Sequence, residues 1–389
     1  MIKIDFKMPE DLEFIINKIE SLGFKAWCVG GAVRDTLLGK TPEDYDVATS
    51  MPPEMILETF EKVIPTGIRH GTVTVVLNGK PYEVTRFRID GEYLDHRKPE
   101  TVEFTDDFTL DLSRRDFTIN AMGYNKTTGL MDPFGGVHDL ENKLIRTVGE
   151  PQKRFKEDAL RILRAVRFSS VLGFELEDNT KKAVEEMAHT LKDISAERIA
   201  VELFKTLKSQ NPNNISLIIN GGGFSEFGMS DLKTPEILNR IPNVYCLRLS
   251  VLILLCDGDA KKVTQKLKLS REQCKRTVAF FDVLSSPQFS VAKVKKLAEI
   301  APYESLKYLA SAFEVLYSIP QEENFEALRK AAELNEPYNI KMLNISGDTL
   351  KSLGYVGKEI GEVQEKLLNF VLENPNKNTE SELLKQIEY

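Results

Sequence analysis

Residues 30–47 read GGAVRDTLLGKTPEDYDV, opening on a glycine pair and closing on Asp44 and Asp46, two carboxylates one residue apart. In a strand, residues i and i+2 project from the same face, so Asp44 and Asp46 are expected side by side, with Tyr45 turned away. Adjacent carboxylates repel. A hard divalent cation such as Mg²⁺, held through oxygen and shared with phosphate, relieves that repulsion. The alternative is an Asp-x-Asp turn with both groups solvated. Ahead of the pair, the backbone amides of a Gly30-Gly31 turn at a helix start form a nest for anions, and Arg34 adds a guanidinium able to fork onto a phosphate. Taken alone, the glycine pair requires no more than a tight turn.

Working outward, residues 9–22 place Leu12, Ile15, Ile16 and Ile19 at helical spacing and end at Gly23, a residue suited to a helix C-cap. A short apolar strand is expected over 24–29, a helix over 32–38 and a second strand over 45–48. The β-branched and aromatic runs 71–77 and 82–88 flank Asn78-Gly79, which predicts a hairpin. From about residue 150, strand-like alternation gives way to amphipathic helical segments at 157–172, 179–191 and 196–207. Pro151, residues 211–214, the glycines 221–223 and the stretch 235–242 are candidate joints. The expected fold class is α+β, an N-terminal mixed sheet followed by an all-helical remainder.

A chain of 389 residues exceeds the size at which one core stays undivided. Its net charge of -7 argues against a protein that coats nucleic acid through an overall positive field, yet it permits a local basic groove. Lys153, Arg154, Lys156, Arg161, Arg164 and Arg167 crowd one short segment. The apolar run 251–256 is far too short to cross a bilayer, so no membrane partner is expected. The N-terminus lacks the apolar core of a signal peptide, which leads us to expect a cytoplasmic protein. Cys28, Cys246, Cys256 and Cys274 show no metal-type spacing.

Further stretches follow in order: the hairpin; DGEYLDHRKP at 90–99; RRDFTINAM at 114–122; DPFGG at 132–136; and EDALRILRAVRF at 157–168. With GGAVRD and DYD, the set resembles the class II tRNA nucleotidyltransferases, which build the CCA end of tRNA, within the DNA polymerase β-type superfamily. The resemblance covers roughly the first half of the chain. It implies a nucleotidyltransferase head over 1–149, a helical neck for base recognition over 150–215, a body over 216–310 and a tRNA-binding tail over 311–389. It also implies catalysis by Asp44, Asp46 and Glu83, with metal at the two aspartates. The nucleotide contacts so implied are Gly30, Gly31, Arg34, Arg115, Asp158, Arg161, Arg164 and Arg167. The implied partners are tRNA, ATP and CTP. Residues 90–99, polar and without periodicity, read as a mobile loop, and in the resembled family such an element serves addition of the terminal A.

Base reading has its own chemical argument. Asp158 and Arg161 are i and i+3 on the expected helix, and Glu157 is i−4 from Arg161, close enough to orient its guanidinium. Asp158 would accept from the amino group of cytosine or adenine while Arg161 donates to a ring acceptor, whereas guanine and uracil present a carbonyl where the amino group is needed. The competing reading is a surface salt-bridge ladder. Arg167 lies about opposite Asp158 on such a helix and could instead meet RNA phosphate or pair with an acid. Glu83 could equally be a solvated strand carboxylate. Only His189 lies beyond residue 140, too few histidines for an HD phosphohydrolase module. A poly(A) polymerase shares most of these motifs, but such enzymes carry a Gly-Arg-Arg-Phe-Arg-like segment where this chain reads TGIRHGTV at 66–73. An A-adding enzyme acting on CC-ended tRNA is not separated from a full CCA-adding one.

Overall fold

A computed structural model describes residues 6–91, 102–301 and 303–387. Two compact units emerge, Met1–Thr206 with Asn214–Ser225, and Leu207–Asn213 with Glu226–Tyr389.

The first unit begins with α1 (Glu10–Ser21), whose buried stripe is the expected Leu12, Ile15, Ile16 and Ile19. Strand β1 (Ala26–Val29) is buried along its whole length, as an inner strand covered on both faces must be. It runs into α2 (Gly31–Leu37), β2 (Asp46–Thr49), α3 (Pro53–Thr59) and β3 (Val63–Gly67). The hairpin of β4 (Thr72–Leu77) and β5 (Lys80–Arg86) turns at Asn78 and Gly79, both with positive φ, 49° and 77°. After β6 (Arg88–Asp90) and β7 (Val102–Phe104) come α4 (Phe108–Ser113), β8 (Gly123–Asn125), β9 (Gly129–Met131) and α5 (Gly136–Glu141). The mixed sheet has seven strands in the order β3-β4-β5-β2-β1-β8-β9. Only β2 and β5 run parallel, and their register sets Asp46 opposite Glu83. Most of the loop expected at 90–99 lies outside the described residues.

One face of the sheet is sealed by aromatic stacking. Trp27 lies flat on Phe108, ring centroids 4.2 Å apart, and Phe87 packs at a tilt against both. The indole N–H is not left bare, since Nε1 donates to Thr128 Oγ1 at 3.0 Å.

The 132–136 motif has a structural reason. Asp132 accepts from the backbone amides of Gly136 (2.6 Å) and Val137 (2.9 Å), capping α5. A Cβ at Gly136 would stand 2.4 Å from the Thr118 carbonyl oxygen, so only glycine lets α5 approach the turn at 118–120.

The helical part of this unit departs from expectation at one place. Residues 157–172 do not form one helix: α6 (Pro151–Glu157) ends, Asp158 turns extended at φ −143°, ψ 105°, and α7 (Leu160–Leu172) begins. The reason lies in the aspartate itself. Its carboxylate accepts from the Leu160 amide at 3.0 Å, a cap that competes with continuing the helix. Pro151 is the first residue of α6 and so starts a helix rather than joining two subunits. A two-residue parallel pair, β10 (Leu144–Ile145) with β11 (Glu175–Leu176), interrupts the otherwise helical half. Then follow α8 (Asp178–Met187) and α9 (Ala196–Leu207).

The second unit is helical throughout its described residues, and its helix Tyr245–Leu255 is buried on nearly every side. A separate apolar cluster at its C-terminal end joins Leu350, Leu367, Val371 and Leu383.

Candidate active site

Ten of the twelve residues singled out in the sequence line one cleft of about 860 Å³ in the first unit: Gly30, Gly31, Arg34, Asp44, Asp46, Arg115, Asp158, Arg161, Arg164 and Arg167. The other two stand immediately behind it. Glu83 neighbours Asp46 across the parallel β2–β5 pair, and Glu157 holds Arg161 at 2.5 Å.

At the end of β1 the chain must reverse into α2. Gly30 does so at φ 71°, ψ −129°, a conformation closed to side chains, and a Cβ there would also meet Arg115 Nη1 at 3.2 Å. The turn therefore brings the start of α2 beside a guanidinium. Arg34 is braced by Asp35 through Nε (2.8 Å) and by Asn120 Oδ1 through Nη1 (2.7 Å). Its guanidinium also lies 5.2 Å from the centroid of the Phe168 ring.

Asp46 opens β2, and Asp44 sits just before the strand rather than on it. The strand thus starts one residue later than expected, yet both carboxylates open into the same cleft. Solvent reaches Asp46, but the cleft walls strip part of its hydration. This crowding, then Glu83, raise its pKa above the ordinary carboxylate value, and Asp44 adds to the rise while Arg115 opposes it. A cluster that pushes a proton back onto one of its own acids is short of positive charge. Among the described residues no three His, Cys, Asp or Glu side chains close into a preformed metal cage. Two carboxylates that share a cation with substrate phosphate are a donor set for a hard divalent cation, so the residues present suit such an ion.

The opposite wall is a lattice of guanidiniums held by acids. Arg161 donates through Nη1 to Glu157 and to the Arg154 carbonyl (3.1 Å), and through Nη2 to the Arg114 carbonyl (2.9 Å). Its Nε and one Nη2 proton have no partner among the described residues. Asp158 reaches the same place without sharing a helix with Arg161, because the break between α6 and α7 turns it toward the cleft. Arg198 on α9 holds its Oδ2 at 2.8 Å. Arg167, read from helix geometry as facing away, lines the cleft and pairs with Glu202 at 2.6 Å, as the acid-pairing alternative foresaw. Phe168 lies beneath the Arg167 guanidinium, 3.9 Å from the ring centroid.

Three residues at this wall escaped the sequence reading. Asp116 lies within the 114–122 motif, whose pattern does not reveal a partner for it, and it grips Arg164 at 2.6 Å and 2.7 Å. Arg198 and Glu202 are i and i+4 on α9, a spacing visible in the sequence. Nothing there said which helix they faced.

Asp116 also gives a stability prediction. Burial disfavours its charge, but Arg164 and hydrogen bonds from Asn120 and Arg164 prevail, holding its pKa at about 2 against 3.8 when unconstrained. A depressed carboxylate stabilises the fold fully above its unfolded pKa, and that contribution disappears as the pH falls through the folded value. The difference amounts to roughly 2 kcal/mol. Asp116→Asn should therefore lose stability at neutral pH and show a flatter decline in thermal midpoint from about pH 5 to pH 2 than the wild type. Parallel declines would show that Asp116 is not the titrating group.

With this geometry in hand, comparison with known proteins decides the family. The Poly A polymerase head domain family matches residues 26–146. The family described as a probable RNA and SrmB- binding site of polymerase A matches residues 173–218. A CCA-adding enzyme of Staphylococcus haemolyticus is 35% identical over 389 residues, covering 96% of this chain and 96% of its own. One from Lactobacillus helveticus is 41% identical over 300 residues, 73% of this chain and 75% of its own. The chain belongs to the CCA-adding enzyme family. A crystal structure of the Bacillus stearothermophilus CCA-adding enzyme in complex with CTP is similar in fold, with TM-score 0.78, 29% identity and coverage of 97% of this chain and 96% of that one. CCA-adding enzymes are tRNA nucleotidyltransferases, and their family generally uses a divalent metal. Among the described residues no helix is long and apolar enough to cross a membrane.

Proposed function

We propose that this protein adds C, C and A to the 3′ end of tRNA from CTP and ATP without a nucleic-acid template, releasing pyrophosphate. What carries this reading is one cleft that joins the paired acids and glycine turn to an acceptor–donor pair, Asp158 and Arg161, suited to the edge of cytosine and adenine. The protein itself then supplies the pairing edge.

Asp44 and Asp46 would hold the divalent cation, which we assign as Mg²⁺, and when bound it would polarise the α-phosphate and acidify the primer 3′ hydroxyl. Gly30 and Gly31 seat the triphosphate, while Arg34 and Arg115 offset charge as pyrophosphate departs. Among the described residues buried Arg115 Nε has no hydrogen-bond partner, which suits a donor awaiting phosphate oxygen. Arg164 and Arg167 complete the nucleotide wall. Glu83 modulates the acids from the neighbouring strand, and Glu157 fixes Arg161.

We assign nucleotide chemistry to the head, 1–149, and base recognition to the neck, 150–215. The body, 216–310, and the tail, 311–389, would hold the tRNA. The RNA-binding family match at 173–218 supports an RNA-facing neck. Such an enzyme works where tRNA is matured, and we place it in the cytoplasm.

Transcripts ending at the discriminator base, at C and at CC, each offered CTP, ATP or both, test the assignment. The expected result is a complete CCA end on all three when both nucleotides are present. Extension of the CC-ended transcript alone would make this an A-adding enzyme, and long A tails on any RNA would make it a poly(A) polymerase.

A further inference from the structure

The cleft guanidiniums of Arg34, Arg115, Arg161, Arg164 and Arg167 are each engaged by a carboxylate. Among the described residues the two lysines of the cleft, Lys40 and Lys205, are not. Lys205 lines it from the last turn of α9, is exposed, and has no ion pair or hydrogen bond to its ammonium group among the described residues. Where it sits along the cleft follows from the pairs that lock α9 to α7. Arg198 meets Asp158 at the start of α7, and Glu202 meets Arg167 in its third turn. Both contacts advance in the same direction, so the two helices run alongside with parallel sense. Lys205, three residues beyond Glu202 and seven beyond Arg198, lies on the same face of α9, roughly 10 Å farther along than Arg198. That end of the cleft is walled by Val171 and Leu172. Between it and Asp158 stands Arg34, whose guanidinium is fixed over Phe168.

We propose that Lys205 binds the terminal phosphate of the incoming nucleoside triphosphate and the pyrophosphate that leaves. The inference rests on the proposed function, because it takes Asp158 as the base end and Arg34 as the triphosphate clamp. A nucleotide laid along α7 with its base at Asp158 and its phosphates at Arg34 points its last phosphate onward, toward the wall where Lys205 stands. Chemistry agrees with position. A paired guanidinium brings its acid with it and adds little net charge, whereas an unpaired ammonium at the rim meets the highly charged end of a triphosphate with full positive charge. Val171 and Leu172 offer no competing acceptor.

The test compares CTP, CMP and pyrophosphate on the full-length protein carrying Lys205→Ala or Lys205→Arg. Equilibrium binding of CTP should weaken roughly five- to tenfold in Lys205→Ala, and the inhibition constant of pyrophosphate should rise by a similar factor. Affinity for CMP and the KM for the tRNA primer should not change, and Lys205→Arg should recover most of the loss. Equal weakening of CTP and CMP would mean a general disturbance of the wall and would overturn the proposal. So would a raised primer KM with unchanged CTP affinity, which would turn Lys205 toward RNA. Failure of the wild type to bind CTP at all would instead strike the functional reading on which this rests.

Discussion

Replacing Asp46 by asparagine is expected to slow nucleotide incorporation by roughly a thousandfold while leaving CTP binding measurable. The factor corresponds to about 4 kcal/mol, of the order that metal stabilisation of a transferring phosphoryl group supplies. Binding should survive because the glycine turn, Arg34 and the guanidinium wall are untouched. Stability should move the other way. Asp46 is raised in pKa by the cleft walls and by Glu83 and Asp44, so its ionised form works against the fold at neutral pH. Its neutral replacement removes that repulsion, and the thermal midpoint should rise slightly. Few structural lesions lower turnover while raising the melting temperature, and this opposition separates a catalytic carboxylate from a scaffold one. Single-turnover incorporation, CTP titration and thermal unfolding on one preparation settle the matter. Near-normal turnover in Asp46→Asn or Asp44→Asn would falsify the metal role of the pair.

The order of motifs made this site legible, and particular physical facts limited the reading. Hydrophobic spacing located α1 because a helix on a sheet must bury one stripe, and Asn78-Gly79 located the β4–β5 hairpin because few residues adopt its backbone angles. The sheet order was not legible. That β2 lies beside β5 with Asp46 opposite Glu83 depends on a long-range parallel pairing that no local pattern encodes. The break at Asp158 was hidden for a different reason. Apolar periodicity runs through it, and an aspartate is compatible both with a helix surface and with the cap it actually forms. The guanidinium wall was half read. Arginine spacing on one helix announced a cationic surface, but the acids that hold it come from Glu157, Asp116 and Glu202, on three separate segments. A single-helix projection consequently turned Arg167 away from the cleft it lines.

Asp158 is where the observed geometry sharpens what a substitution must do. Asp158→Ala would remove three things together: the acceptor for an amino group, the cap on the Leu160 amide and the partner of Arg198. Its loss of activity could not be apportioned. Asp158→Asn keeps the cap, because an amide oxygen holds the Leu160 amide about as well as a carboxylate does, and gives up the acceptor together with the Arg198 contact at Oδ2. The amide nitrogen then takes the place of Oδ2 and presents a donor. A donor there matches the carbonyl of uracil, which the carboxylate repels, and no longer accepts from the amino group of cytosine. Discrimination of CTP over UTP, measured as the ratio of kcat/KM, should therefore fall by roughly a hundredfold, within the 1–3 kcal/mol that one hydrogen-bonded base contact supplies. Part of that change should be a gain in absolute UTP incorporation. Gain of a rejected substrate is the informative half, since a damaged site loses every substrate alike. Were Asp158→Asn to lose CTP and UTP incorporation in equal proportion, Asp158 would be a cap and a partner for Arg198 only, and base choice would have to reside elsewhere on the wall.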